Sequence, residues 1–161
     1  MSSPGDRPMP RDDRTAQELD RGTCLTLLQS VVIGRVAWAD EDRRIVVLPV
    51  NFIIDEGTVV YRTARGGTLS AVREGSPLSF EADDVEPGLR TGWSVLVSGT
   101  AQVVTDSATI DHLERLPLAP WPPAAMPHFV RLRAEEITGR RLPLHPGGVT
   151  RERIGPQDDT R

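Results

Sequence analysis

Apolar and polar positions alternate in short runs along most of this chain, and turn-forming residues separate the runs. Val31-Val32-Ile33-Gly34-Arg35-Val36-Ala37-Trp38 is β-branched and bounded by charge, which predicts a strand. Asp40 to Arg43 reads as a turn and Ile45 to Ile54 as a second strand. Pro49 interrupts that strand and points to an edge or a bulge, because proline cannot donate to a ladder. Asp55-Glu56-Gly57 predicts a hairpin turn into a third strand, Thr58 to Thr63. Gly66 and Gly67 then lead into a short helix, Thr68 to Arg73.

Farther on, Pro77 to Ala82 predicts a fourth strand, and Asp83 to Thr91 an acidic loop containing proline and glycine. Trp93 to Val104 predicts a long fifth strand, with Gly99 marking a bulge or sharp coil of the kind barrels need. Ser107 to Leu116 reads as a helix, and residues 117–127, with five prolines and Trp121, as an irregular loop. Phe129 to Ile137 alternates and predicts the last strand. Before all of these, residues 15–29 read as a helix with Leu19, Leu25 and Leu28 on one face. Thr15 would be its N-cap and Glu18 would complete a capping box, while Gly22 weakens the first turns.

Six strands with few, short helices predict a mainly β, six-stranded antiparallel barrel rather than a βαβ sheet. Residues 1–14, rich in Ser, Pro, Gly, Asp and Arg, read as a disordered N-terminal arm. Residues 15–142 form the expected folded domain, and residues 143–161 a flexible C-terminal tail.

At 161 residues the chain is long enough for one domain with a real core. No run approaches the roughly 20 apolar residues that a membrane span needs, and the polar N-terminus lacks an apolar signal core. The expectation is a soluble cytoplasmic protein with no membrane partner. The net charge of −4 argues against nucleic acid as a partner. Cys24 is the single cysteine, which excludes an intrachain disulfide and a multi-cysteine metal site. All 19 cationic side chains are arginine, so any anion gripped by a side chain is held by Arg, His or a hydroxyl.

Arg62 to Leu69 carries the most suggestive chemistry. Gly66 and Gly67 allow the backbone to come close to a ligand, and Thr68 reads as the N-cap of the short helix, whose first N–H groups would face an anion. Arg62 could add a bidentate contact to a phosphate. The alternative reading of these residues is an ordinary strand–turn–helix with solvated arginines, since a glycine pair beside arginines is common. Pro49-Val50-Asn51-Phe52 is a second candidate: a proline-interrupted strand leaves backbone groups available to the polar edge of a planar ring, and Asn51 offers both donor and acceptor. Its alternative is an edge strand protected by proline. Trp93, opening the fifth strand beside Ser94, could stack on a ring or pack in the core or an interface. His112, His128 and His145 show no metal spacing, and no nucleophile elbow, P-loop or GxGxxG motif is present. No catalytic residue and no metal site is assigned.

Taken jointly and in order, several segments resemble the pyridoxamine 5′-phosphate oxidase-like flavoproteins, especially the small actinobacterial, nitroimidazole-reductase-like branch. They are Cys24 to Leu28, Gly34 to Ala37, Pro49 to Phe52, Arg62-Thr63, Gly67-Thr68-Leu69, Phe80 to Asp83, Trp93 to Ala101, and Ile137 to Arg140. The resemblance implies a split β-barrel, a homodimer with two flavins at its interface, and flavin mononucleotide (FMN) as cofactor, with a deazaflavin as alternative. The activity implied is that of an oxidoreductase of unknown substrate. The alternatives are a flavin-binding module without turnover and a dimer that has lost its cofactor. Pro49, Val50, Asn51 and Phe52 would face the flavin ring. Arg62, Thr63, Thr68 and Leu69 would hold the phosphate end, and Trp93 and Ser94 would approach from the partner subunit. The family's phosphate-binding lysine falls on Thr68, and Arg65 or Arg73 could replace its charge.

Overall fold

The computed structural model describes residues 16–64, 66–118 and 126–143. The expected arm, Thr15, Arg65, most of the proline-rich loop and nearly all of the expected tail lie outside these residues. Nine strands and three helices follow in the order β1 (Gln17–Leu19), α1 (Arg21–Leu28), β2 (Ile33–Ala39), β3 (Ile45–Asp55), β4 (Thr58–Thr63), α2 (Gly67–Arg73), β5 (Leu78–Glu86), β6 (Thr91–Gly99), β7 (Ala101–Val103), α3 (Ser107–Glu114), β8 (His128–Leu132) and β9 (Glu136–Leu142). All neighbouring strands are antiparallel, in the order β1-β9-β6-β5-β2-β3-β4-β8-β7.

The sheet curls into a split barrel because two of its strands serve both halves. Residues 45–51 of β3 pair with β2, whereas Phe52 to Asp55 pair with β4. Pro49 thus sits where β3 has β2 on one side and no strand on the other, an edge that tolerates its missing donor. The second crossing is at Thr100. β6 pairs with β9, and one residue later β7 pairs with β8. The break follows from Gly99. A methyl group there would overlap the Arg133 carbonyl oxygen, and two bonds, Arg133 N–H to Thr100 O (3.0 Å) and Glu135 N–H to Ser98 O (3.2 Å), stitch the two paths together.

The expected fifth strand is therefore β6 and β7 end to end, and the expected last strand is β8 and β9 around a break at 133–135. These two splits, plus the three-residue β1, turn six strand paths into nine strands. Two local expectations are corrected. Asp83 to Glu86 belong to β5, whose register with β6 runs unbroken from Leu78↔Gly99 to Glu86↔Thr91. The first helix begins at Arg21, preceded by β1, and its N-cap is Asp20, whose carboxylate accepts from Thr23 N–H at 2.9 Å.

The barrel interior is filled by inward positions of these strands, among them Val36, Phe52, Tyr61, Phe80, Val97 and Leu132, closed at its ends by Cys24 and Leu28 of α1 and Ala71 and Val72 of α2. Phe52 and Phe80 meet edge to face at 4.6 Å between centroids, a favoured aromatic geometry. β4 is buried on both faces: Val60 points outward beneath α3, with Leu113, Leu118 and Phe129. His112 Nε2 lies 2.9 Å from Asp55 Oδ1, and Arg131 donates to Asp55 Oδ2 at 2.6 Å, so α3 is also pinned to the end of β3. No helix among the described residues is long and apolar enough to cross a membrane.

Candidate functional site

β3 and β4 diverge just where β3 leaves β2, and a cavity of about 110 Å³ opens between them. Pro49, Val50 and Asn51 form one wall, Arg62 and Thr63 the other, with Leu48, Leu118 and Met126 completing it. Two segments separated by a hairpin thus converge because β3 and β4 pair antiparallel from Phe52↔Tyr61 onward, which sets Thr63 across from the Val50 region.

Arg62 is held from two sides. Its Nε donates to Met126 O at 2.9 Å, and its guanidinium carbon lies 4.7 Å from the centre of the Phe129 ring. This cation–π contact fixes the plane of the fork, and the two terminal nitrogens have no protein partner among the described residues. Thr63 is buried, with its hydroxyl donating to Ala64 O at 3.2 Å. Asn51 donates a long bond, 3.4 Å, to Val32 O. The lining therefore combines an oriented arginine fork, a side-chain amide and the backbone of an unpaired strand edge. Such a set suits an anionic group joined to a flat polar ring.

The other candidate residues lie elsewhere. Phe52 is buried in the barrel core. Thr68 is not an N-cap: Gly66 occupies that position at φ 154°, a backbone conformation open to glycine, and Thr68 and Leu69 lie inside α2 with side chains 4% and 3% exposed. Neither lines the cavity. The reason is helical phase. Residues 68, 69, 71 and 72 form the buried face of α2, so a side chain at 68 points toward the barrel. Arg73 lies in the last turn of α2, exposed and roughly 9 Å of helix rise from Gly67. Trp93 packs against the edge of the core and Ser94 is exposed. Ser94 lies opposite Asp83 and Arg140 on the outer face of the sheet, away from the cavity in the same chain.

Leu118 and Met126 are lining residues that the sequence reading missed. They flank the proline-rich stretch and reach the cavity only through the packing of α3 on β4 and β8, and no local pattern marks them. The outer sheet face also carries an ion-pair cluster in which Arg35 lies between Glu81 (3.2 Å) and Asp83. Burial, reinforced by Asp83, raises the Glu81 carboxyl above its ordinary value despite Arg35. Around that cluster Ile33, Ile45, Val47, Val85 and Leu96 are exposed. Among the described residues no group of acidic, histidine or cysteine side chains is arranged to hold a metal.

Residues 20–141 match the family model described as pyridoxamine 5′-phosphate oxidase. This chain belongs to that family. An uncharacterized protein of Mycobacterium tuberculosis is 39% identical over 146 residues, 87% of this chain and 95% of the relative. Among solved structures, a Corynebacterium glutamicum protein provisionally described as a pyridoxamine 5′-phosphate oxidase superposes with a TM-score of 0.70. It is 37% identical and covers 81% of this chain and 95% of its own. A Mycobacterium smegmatis protein described as FAD-binding has a TM-score of 0.65 and 35% identity, covering 78% of this chain and 97% of its own. These likenesses establish the family's split β-barrel here, and flavin-binding proteins stand among its similar structures.

Proposed function

We propose that this protein is a flavin-dependent oxidoreductase that works as a homodimer and holds the flavin mononucleotide unit at the β3–β4 cavity. The observation that carries the reading is the convergence of Pro49-Val50-Asn51 with Arg62-Thr63 on one cavity. Flavin, when bound, supplies the redox chemistry. The chain's part is to bind and orient it. The Arg62 fork offers two N–H groups to the phosphate, and the ring of Phe129 keeps that fork from turning away. The edge of β3 offers its backbone groups to the polar rim of the ring, while Leu118 and Met126 shield one side from water. No side chain at the cavity is assigned as a general acid or base.

The dimer reading rests on the exposed apolar residues of β2, β3, β5 and β6, which form one outer sheet face, an arrangement uncommon on a monomer. A second copy related by a two-fold axis would cover it isologously, and Trp93 and Ser94 would then belong to the partner's flavin site. One observation favours a second reading. Thr68 is buried in α2 and brings no charge to the cavity, which suits a barrel that binds a deazaflavin or takes part in no turnover. The test is anaerobic titration of the FMN-equilibrated protein with reduced nicotinamide cofactors. Bleaching of the bound flavin supports the oxidoreductase; flavin that stays bound and oxidised supports a non-catalytic binding module.

A further inference from the structure

The strand registers lay out the outer sheet face as a grid. Pro49 pairs with Arg35, Arg35 with Glu81, and Glu81 with Leu96, so these four side chains form one row across β3, β2, β5 and β6. Side chains two residues apart along a strand share a face. The next row along the strands is therefore Asn51, Ile33, Asp83 and Ser94, and the row on the other side is Val47, Ala37, Ser79 and Ser98. The exposed apolar residues divide evenly about the β2–β5 boundary. Ile33, Ile45 and Val47 lie on its β2–β3 side, and Val85 and Leu96 on its β5–β6 side. That boundary is the midline of the apolar patch, and Arg35 and Glu81 face each other across it.

The ion cluster on this midline is only half used within one chain. Arg35 donates to Glu81 Oε2 and to Asp83 Oδ1 through Nη1 alone. Its Nε and Nη2, Glu81 Oε1 and Asp83 Oδ2 have no partner among the described residues. The Arg35 side chain is 45% exposed and that of Glu81 35%. Stacked sheets lie about 10 Å apart, a gap that two long side chains fill from opposite sides. Symmetry then decides which charges meet. A two-fold axis crossing the strands at the cluster would set Arg35 on Arg35 and Glu81 on Glu81. An axis running along the β2–β5 boundary exchanges the two strands, so each Arg35 faces a carboxylate of the other copy. It also lays the apolar residues of β3 against those of β6.

We infer that Arg35 pairs with the partner's Glu81, and Glu81 with the partner's Arg35, across a two-fold axis along the β2–β5 boundary, and that this double pair sets the register of the dimer. The inference rests on the dimer reading above and adds to it the axis and the residues that fix it. Each guanidinium keeps Nη1 on its own chain and gives its free edge to the other, a geometry that the planar fork allows. The same axis sets the partner's Leu96 opposite Pro49 and the partner's Ser94 opposite Asn51. The β3 wall of each flavin cavity is thus completed by β6 of the other copy.

A charge swap between two chains tests it. Arg35→Glu and Glu81→Arg, made separately, set like charges against each other across the axis. Like charges in contact at an interface are strongly unfavourable, so each variant should dissociate about 100-fold more readily than the parent in a sedimentation dilution series. Mixed one to one, the two variants should form a mixed dimer of parent-like strength, read by native mass spectrometry. In the mixture every residue 35 faces an opposite charge on the other chain, while each chain still carries its like pair internally. Recovery therefore reports the contact between chains and not the one within a chain. A mixture that stays monomeric, or single variants that dimerise like the parent, overturns the inference and leaves the dimer reading intact. A monomeric parent overturns both. If a reversed chain does not fold, Arg35→Gln takes its place: dissociation eased about tenfold or more supports the inference, and parent-like dissociation overturns it.

Discussion

Arg62→Ala removes the one side-chain cation that lines the β3–β4 cavity among the described residues, and its cost divides into a ligand part and a fold part. Hydrogen bonds to a charged group are worth about 1.5–3 kcal/mol, so loss of the phosphate contact weakens flavin binding by roughly 10- to 150-fold. The fold part comes from the contacts already made. The Nε bond to Met126 O contributes about 0.5–1.5 kcal/mol, and the stacking on Phe129 about 0.5–1 kcal/mol. Together these predict a stability loss of about 1–2.5 kcal/mol. Arg62→Lys separates the two parts, since it keeps charge but loses the planar fork and its stacking. It should recover some affinity and little of the stability. The assay is fluorescence-quenching titration of flavin with each variant, paired with denaturant unfolding. An Arg62→Ala variant that binds flavin within a factor of three of the parent refutes the placement of the phosphate at this cavity.

Four further outcomes follow from the geometry. Gly99→Ala should lower stability by about 1–3 kcal/mol in urea unfolding, because the added methyl meets a backbone carbonyl that cannot rotate away; an unchanged midpoint contradicts the account of the β6–β7 break. Tyr61→Phe should leave stability unchanged or raise it by about 1 kcal/mol, because the buried hydroxyl has no hydrogen-bond partner among the described residues and burial pushes its pKa up; a clear loss of stability would mean that the hydroxyl has a partner. The raised Glu81 carboxyl gives stability that is fully present below its ordinary value of 4.5 and lost as pH rises through the raised value, so Glu81→Gln should flatten the unfolding midpoint between pH 4 and 7, read by thermal melts across that range. Val47→Asp, on the exposed apolar face, should shift sedimentation from dimer to monomer without changing the circular dichroism spectrum; a parent protein that already sediments as a monomer counts against the dimer.

Much of the barrel was legible because strand pairing leaves a local record. The β-branched run in 31–38, the alternation in 129–137, the Asp-Glu-Gly turn and Gly99 each mark their element, and the six strand paths lie close to where the pattern put them. Asp83 to Glu86 misled because acidic residues beside Pro87 and Gly88 look like loop. Their partner is β6, and an outer sheet face tolerates charge, so composition says little about backbone pairing there. β1 is only three residues long and exists through its register with β9, which nothing local encodes.

The candidate site divides the same way. Pro49 to Asn51 and Arg62-Thr63 share a cavity because a hairpin joins their strands, a short-range relation that the turn between them signals. Leu118 and Met126 depend on how α3 docks on the sheet, a long-range outcome. Thr68 shows the limit of a matched motif: its position was clear, but the phase of α2 decides that its side chain faces the core.

The most direct test of the central claim is the visible absorption spectrum of the purified protein, equilibrated with flavin and freed of excess by gel filtration. The account predicts retained flavin bands at close to one flavin per chain, reduced to near zero in Arg62→Ala. A colourless protein after equilibration with FMN and with FAD would contradict it.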